Sequence, residues 1–438
     1  MNVRVEKLVF GGQALARTEK GIVLAWNAQP DELAEVEIVK KRRGVLEGVA
    51  TTIQAPSPDR QPAREKHFLS CSPWQIIAPR AELQWKLAIA REVYQKIGHF
   101  APDNPLLEQL GIVNIGGEYH YRNKMEFSFV DTAKGLSLGF YERGRHRIQP
   151  IEGCLLAYHQ INAAAQEIVA QLNAQKITAR QLKSLIVRSN GEEVMVGLFC
   201  KTELPVKFTL GHTNVLQVFF SSAKSPASNP DKLLATIWRE PSAATDTSTQ
   251  PLSSQPVLRE NLQGLSLEYG LFSFFQINRP VFSQALEDMA AYVPEGSQII
   301  DFYAGVGAIG LVLSKKAARV TLVDSNPEAI DFAQRNIALN QLSDRVSAQA
   351  EVAEKMTALI SPQQVLIVDP PRAGLHPRVT QAIRERQPEA VIYLSCNLST
   401  QARDAVLLAS AYKPVFVRLY NFFPRTPHIE SLLVLKRT

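Results

Sequence analysis

The last third of the chain contains several short segments whose side chains could do chemistry together. IYLSCN ends an apolar run at Cys396, which is flanked by polar Ser395 and Asn397. A lone cysteine after such a run is usually core filler, and Cys200, which continues the alternation of Val194, Val196 and Leu198, is read that way. Cys396 differs because its polar neighbours put it at a strand end, facing a crevice. VLIVDPPRAG puts Asp369 at the matching end of another buried strand, where ligands of open α/β sheets bind. The two prolines after it remove backbone donors and hold the loop stiff. FPRTPHIESLLVLKR then places His428 and Glu430 in a turn ahead of a final apolar strand.

Upstream, GVGAIG (Gly305 to Gly310) spells GxGxxG between an apolar strand and a helix. Glycines there permit a tight turn and let the backbone approach a ligand. Asp324 ends the next strand, VTLVD, where a carboxylate can accept from both ribose hydroxyls of a nucleotide-like cofactor. These features alone fit a nicotinamide dinucleotide and S-adenosylmethionine equally well. The tie breaks further on, because DPPR and SCN at the next two strand ends have no role in hydride transfer.

Such residues need a scaffold, and the pattern predicts a multidomain α/β protein. The first fifty or so residues alternate in strand fashion with glycine punctuation, which predicts a small N-terminal β-barrel over 1–55. A Pro-rich linker spans Ala55 to Arg64. A central α+β lobe is expected over 65–220, with a helix around Leu83 to Gly98 and strands MEFSFV and EVMVGLFC. Residues 221–260 are rich in Ser, Pro and Thr and read as an insertion or linker. From 261 to 438 strands alternate with helices, the mark of a doubly wound, Rossmann-like domain with parallel strands.

The 438 residues, 45% hydrophobic and 21% charged, suit a globular protein of more than one domain. No apolar run reaches bilayer length and no signal peptide is evident at the start, so a cytoplasmic protein without a membrane partner is expected. The four cysteines are scattered, which argues against a disulfide framework and against a CxxC metal knuckle. The net charge of +6 gathers in KKRRG (Lys40 to Gly44), YHYRNK (Tyr119 to Lys124) and ERGRHR (Glu142 to Arg147), each near aromatic or apolar strand-like segments. Strands of this kind can track phosphates while aromatics stack on bases.

Six ordered motifs, SFFQIN, DFYAGVGAIG, VDSNPEA, DPPRAG, SCNLSTQARD and FPRTPHIE, together resemble the class I S-adenosylmethionine-dependent RNA 5-methyluridine methyltransferases. MNVRVEKLVFGGQALAR through KKRRG resembles that family's N-terminal TRAM barrel, an OB-like fold, and YRNKMEFSF resembles part of its central lobe. The resemblance implies a uracil-C5 methyltransferase acting on rRNA or tRNA, at a single-stranded or loop uridine, as a monomer. It implies that Gln276, Tyr303, Gly305, Gly307, Asp324 and Asp369 hold S-adenosylmethionine, and that Phe274 and Arg372 meet the substrate. Cys396 matches the nucleophile and Glu430 the general base. Many relatives carry Glu where this chain has Asp324, a shorter carboxylate that can still hold a ribose. Many also hold a four-iron four-sulfur cluster on four cysteines. Here only Cys71 and Cys154 remain of that set, so neither an iron–sulfur cluster nor any other metal is expected.

The implied chemistry explains the residue types. Carbon 5 of uracil is a poor nucleophile until a thiolate adds to carbon 6 and makes an enolate. After methyl transfer a base must remove the carbon 5 hydrogen before the thiolate can leave. The related 5-methylcytosine enzymes take their nucleophile from a Cys at the end of the acidic motif, where this chain has Pro371 and Arg372, so uridine is favoured. Three alternatives remain: a nicotinamide-dependent oxidoreductase, which would bind NAD; a catalytically silent RNA-binding protein, which would have no need of Cys396 or Glu430; and an amino-nitrogen methyltransferase, whose acidic proline motif DPP resembles but which needs no Cys.

If the basic run is an RNA contact, replacing Lys40, Lys41, Arg42 and Arg43 with Ala will flatten the salt dependence of RNA binding, because fewer counterions are released. Cofactor binding will stay intact. An unchanged salt slope in filter-binding titrations shows instead that the run is only a solvated face.

Overall fold

The computed structural model describes residues 1–201, 215–221, 234–238 and 257–438. Residues 2–55 form a six-stranded sheet whose two edge strands, Asn2–Arg4 and Lys7–Leu8, are separated by only two residues in the chain. Edges so close in sequence require the sheet to curl round on itself. Val3, Ala16, Val23, Ala34 and Ala50 are buried within it. The hairpin Leu33–Arg42 and Val45–Ala55 carries Lys40 to Gly44 at its tip, all exposed. Arg145 of the ERGRHR loop reaches the same hairpin, with its Nη2 3.1 Å from Glu37. Two of the three basic runs therefore lie side by side.

A second sheet is built on Lys124–Thr132, Gly135–Tyr141, Ile148–Ile151, Leu182–Ser189 and Val194–Cys200, continued by the backbone strands Val215–Ser221 and Leu234–Trp238. The helix His159–Ala174 covers it, burying Ile161, Ala165, Ile168 and Leu172, which recur at helical spacing. Cys200 is buried in this core.

The third sheet has the strands β1 (Ser297–Phe302), β2 (Ala317–Asp324), β3 (Val346–Ala350), β4 (Gln364–Val368), β5 (Ala390–Ser395), β6 (Tyr412–Tyr420) and β7 (Glu430–Arg437). Their spatial order is 3-2-1-4-5-7-6, with Ile112–Val113 added at the β6 edge. Strands β1 to β5 are parallel, and β7 enters antiparallel between β5 and β6. Near-continuous burial along β4 and β5 follows from helices covering both faces. No helix among the described residues is long and apolar enough to cross a membrane.

Three boundaries differ from the sequence expectation. The unit expected over 65–220 is split, because the helix Pro79–Lys96 packs its buried face (Ala81, Ile89, Ala90, Val93, Tyr94) on the large sheet's side, against Leu398–Leu408. Tyr94 Oη bonds there to Gln401 and Ser431, both at 2.6 Å. An amphipathic pattern shows which face is buried but not which neighbour receives it. The segment expected as an insertion over 221–260 contains the strand Leu234–Trp238, and its remainder up to 256 lies outside the described residues. The start expected at 261 cuts the strand Leu258–Leu262, which pairs with Leu265–Tyr269 as a hairpin.

The helix Pro79–Lys96 also carries a buried charge network into the large sheet's last loop. Lys86 Nζ lies 2.9 Å from Glu82 and 2.6 Å from Asn421 Oδ1. Arg425, fully buried, bonds through Nη2 to the carbonyls of Trp74, Gln75 and Ile77, while Glu82 accepts from its backbone N–H at 2.9 Å. Glu82→Ala leaves buried Lys86 without its carboxylate and buried Arg425 with only the more distant Glu118, and should cost about 3–5 kcal/mol. Urea unfolding followed by the fluorescence of nearby Trp74 checks this, and a loss below about 1 kcal/mol, the value of an exposed pair, contradicts it.

Candidate active site

The carboxyl ends of β1, β2, β4 and β5 open onto one crevice. At the end of β1 the chain turns through Tyr303, Gly305 and Gly307, all with positive φ (67°, 56° and 89°). Gly307 leads into the helix Ala308–Leu313, and a side chain there would strike Leu322 at 2.9 Å. A Cβ at Gly305 would meet nothing within 4 Å, so this stretch of backbone is open to a ligand. Asp324, at the end of β2, accepts from Gly305 N–H at 2.8 Å through one oxygen and from Asn326 N–H at 2.8 Å through the other. The loop and the carboxylate thus hold each other in place, and Asp324 remains partly exposed.

Asp369 follows β4, and burial pushes its carboxyl up to about 7. Asp301, inside β1, was not singled out in the sequence. Burial lifts it to about 8, one oxygen accepts from Gly310 N–H at 2.9 Å, and the other has no hydrogen-bond partner. An orphaned buried carboxylate oxygen beside an open glycine turn fits a polar, cationic ligand there. The DFYAG motif contained this residue, but a lone Asp within an apolar strand gave no sign of its missing partner. Tyr303 faces a cavity of about 740 Å³ that is also lined by Glu354, Pro371, Leu375 and His376.

Cys396 sits immediately after β5 and is partly exposed. The antiparallel register pairs Ser395 with Ser431, so one step further Cys396 stands opposite Glu430. Burial pushes the thiol up to about 11, helped by the nearby charges of Glu430 and Asp369 and opposed by Arg372. Glu430 is 4% exposed, and burial, with Asp369 adding to it, holds its carboxyl well above the usual range. Arg372 is exposed, and its backbone carbonyl accepts from Asn397 Nδ2 at 2.8 Å, tying the DPPR loop to the SCN loop.

Phe274, in the segment before the helix Arg279–Ala290, presents its ring to solvent at 67% exposure, unusual for Phe, while Gln276 is buried. Gln276 is fixed by Asn123, whose Nδ2 donates to its carbonyl at 3.1 Å. Tyr121 likewise donates to the Pro424 carbonyl at 2.9 Å, and the Arg122 guanidinium lies 5.9 Å from the Phe423 ring. YRNK, read in the sequence as a basic run and as part of a family-like central lobe, therefore ties the second sheet to the Gln276 segment and to the loop between β6 and β7. His428 is exposed and packs edge-on to Phe423.

The structure thus brings Cys396, Glu430, Asp369 and Arg372 into one charge-coupled group, and gathers Gly305, Gly307 and Asp324 a short distance along the same edge. Residues 258–438 match the family model for tRNA (Uracil-5-)-methyltransferase. Over nearly their whole lengths (100% of this chain and 96% of the relative), the chain is 28% identical to a Bacillus cereus protein described as an uncharacterized RNA methyltransferase. A Prochlorococcus marinus protein of the same description is 29% identical over 73% of this chain and 78% of its own. The fold is similar to that of Pyrococcus abyssi tRNA (uracil-54, C5)-methyltransferase in complex with S-adenosyl-L-homocysteine, with a TM-score of 0.73, 23% identity, and coverage of 99% of this chain and 100% of that one. In its C-terminal region, residues 258–438, this chain is thus similar to the tRNA (Uracil-5-)-methyltransferase family.

Proposed function

We propose that the chain methylates carbon 5 of a uridine in RNA, with Cys396 as covalent nucleophile and Glu430 as the base. The observation that carries this reading is the β5–β7 register, which sets a thiol and a buried carboxyl opposite each other at the end of the sheet. S-adenosylmethionine supplies the methyl group, and Gln276, Tyr303, Gly305, Gly307, Asp324 and Asp369 are the residues that would hold it. The sheet curled over residues 2–55 serves as a TRAM-like RNA-binding barrel, and its basic hairpin tip beside the Arg145 loop tracks phosphates. Loop or single-stranded RNA is favoured, because the base must leave its stack before a thiol can reach carbon 6. Exposed Phe274 offers that base a ring to stack on, and Arg372 offers a cation.

In the free protein Cys396 is held as a thiol. Arg372 and a cationic ligand in the crevice favour loss of its proton to solvent, and the thiolate then adds to carbon 6 and pushes the ring electrons onto carbon 5. Carbon 5 would take the methyl as the sulfonium's sulfur–methyl bond breaks and its electrons stay on sulfur, leaving the neutral thioether S-adenosylhomocysteine, and Glu430 then accepts the carbon 5 proton. Those electrons re-form the ring double bond as the sulfur–carbon 6 bond breaks and returns the thiolate. Burial makes the ionised Glu430 carboxylate a stronger base than an exposed one, and its own proton must leave to solvent before it can act. A silent RNA-binding protein would have no use for this pair.

Two substitutions separate the steps. Cys396→Ala abolishes both the covalent adduct and methyl transfer. Glu430→Gln permits addition and transfer but stalls release, so a protein–RNA complex bearing labelled methyl survives denaturing electrophoresis, and it vanishes in the double variant. Normal turnover by Glu430→Gln, or uridine methylation by Cys396→Ala, defeats the proposal. The raised thiol makes a further prediction without RNA. Because the group must lose a proton to react, alkylation of Cys396 by iodoacetamide should climb with pH and reach no plateau before about pH 11. A plateau near neutrality, in peptide mass spectra of the modified protein, shows that the thiol is already activated in the free protein.

A further inference from the structure

Glu65, His67, Cys71 and Cys154 take no part in the crevice chemistry. Their candidate donor atoms all fall within 4.8 Å of one another. Glu65 and His67 precede the single helical turn Phe68–Cys71, which turns Cys71 back toward His67, four residues before it. Cys154 arrives from the second sheet, just after Ile148–Ile151. It is held by Asn162, which accepts from Cys154 N–H and donates to its carbonyl, both at 3.0 Å.

Two features point to a missing partner. The His67 Nε2 atom is buried and makes no hydrogen bond, although Glu65 Oε1 stands only 3.2 Å away, off the bonding direction. Leaving such a nitrogen unsatisfied in a buried place costs free energy. The surroundings are also built to orient the group. Glu65 accepts from Leu155 N–H and from Gln75 Nε2, each at 2.7 Å, and Ser72 Oγ lies 3.0 Å from Cys71 Sγ. Arg143, whose Nε donates to the Leu69 carbonyl at 2.7 Å, brings a positive charge next to this segment.

A four-iron four-sulfur cluster does not fit these residues, which offer two thiols where such clusters take four. A single ion does fit. Around tetrahedral zinc, sulfur and nitrogen donors stand roughly 3.3–3.8 Å apart, which these four atoms reach with small shifts. Two thiolates, one imidazole and one carboxylate favour zinc over calcium or magnesium, which prefer oxygen. We propose that Glu65, His67, Cys71 and Cys154 form a closed structural site for one zinc ion. It pins the segment that follows the barrel to the second sheet, and it replaces the sequence expectation of no metal. That expectation counted cysteines alone and missed Glu65 and His67, whose approach to Cys154 is set by tertiary packing.

The test uses the full-length protein purified without metal-affinity steps. Elemental analysis should find close to one zinc per chain and almost no iron. Cys71→Ser and Cys154→Ser should each lower zinc affinity by at least about tenfold, while Cys200→Ser, in the core of the same sheet, keeps it. Because a cysteine variant can fail by misfolding, the wild-type protein stripped of metal is also titrated with Co2+. Thiolate-to-cobalt charge transfer and tetrahedral visible bands are expected, with displacement by zinc. Absence of both zinc and the cobalt bands, full zinc retention by Cys154→Ser, a Cys71–Cys154 disulfide in the freshly purified chain, or iron with stoichiometric sulfide each overturns the site.

Discussion

The crevice depends on the direction of the last strand. Strands β1 to β5 run parallel and end on one edge of the sheet, so their following loops all collect there. A parallel β7 would begin at the far edge and carry Glu430 away from Cys396. Because β7 runs antiparallel between β5 and β6, its first residue lies at the edge where β5 stops. Glu430 is thereby buried beside a thiol without any loop having to reach across. The cost is a carboxyl placed in low dielectric next to Asp369, which lifts both pKa values.

That arrangement asks the loop between β6 and β7 to hold one shape, and the restraints come from elsewhere in the chain. Arg425, in this loop with φ of 63°, is fixed by carbonyls at 74–77 and by Glu82. Tyr121 holds the neighbouring Pro424, and Lys86 holds Asn421 and the Phe423 carbonyl. Three separate segments therefore converge on nine residues. Buried ion pairs contribute little net stability, but removing one partner is costly, so the network acts mainly to exclude other loop conformations.

The parts legible in the sequence were those whose signal is local. The GVGAIG turn, the acidic ends of VTLVD and VLIVD, and the polar flanks of Cys396 each lie within a few residues of the chain. The parts that were not legible depend on which surfaces meet. The pattern of Pro79–Lys96 gave its buried face but not its docking on Leu398–Leu408. YRNK looked like a phosphate-tracking run, whereas Asn123 and Tyr121 are turned inward to brace Gln276 and Pro424. Asp301 looked like one more polar residue near a glycine loop, and only the packing shows that one of its oxygens has no partner.

The same distinction separates the expectation of no metal, reached by counting cysteines, from the zinc site proposed above. Counting treats a site as a property of one residue type, whereas a metal ion responds to donor atoms and their spacing. Glu65 and His67 lie near Cys71 in sequence, but neither is a cysteine, and Cys154 is supplied by another element altogether. What makes them candidates for one ion is that a buried imidazole nitrogen, two thiols and an oriented carboxylate bring their donor atoms within 4.8 Å of one another. Too few thiols for one kind of metal centre therefore does not mean too few donors for another.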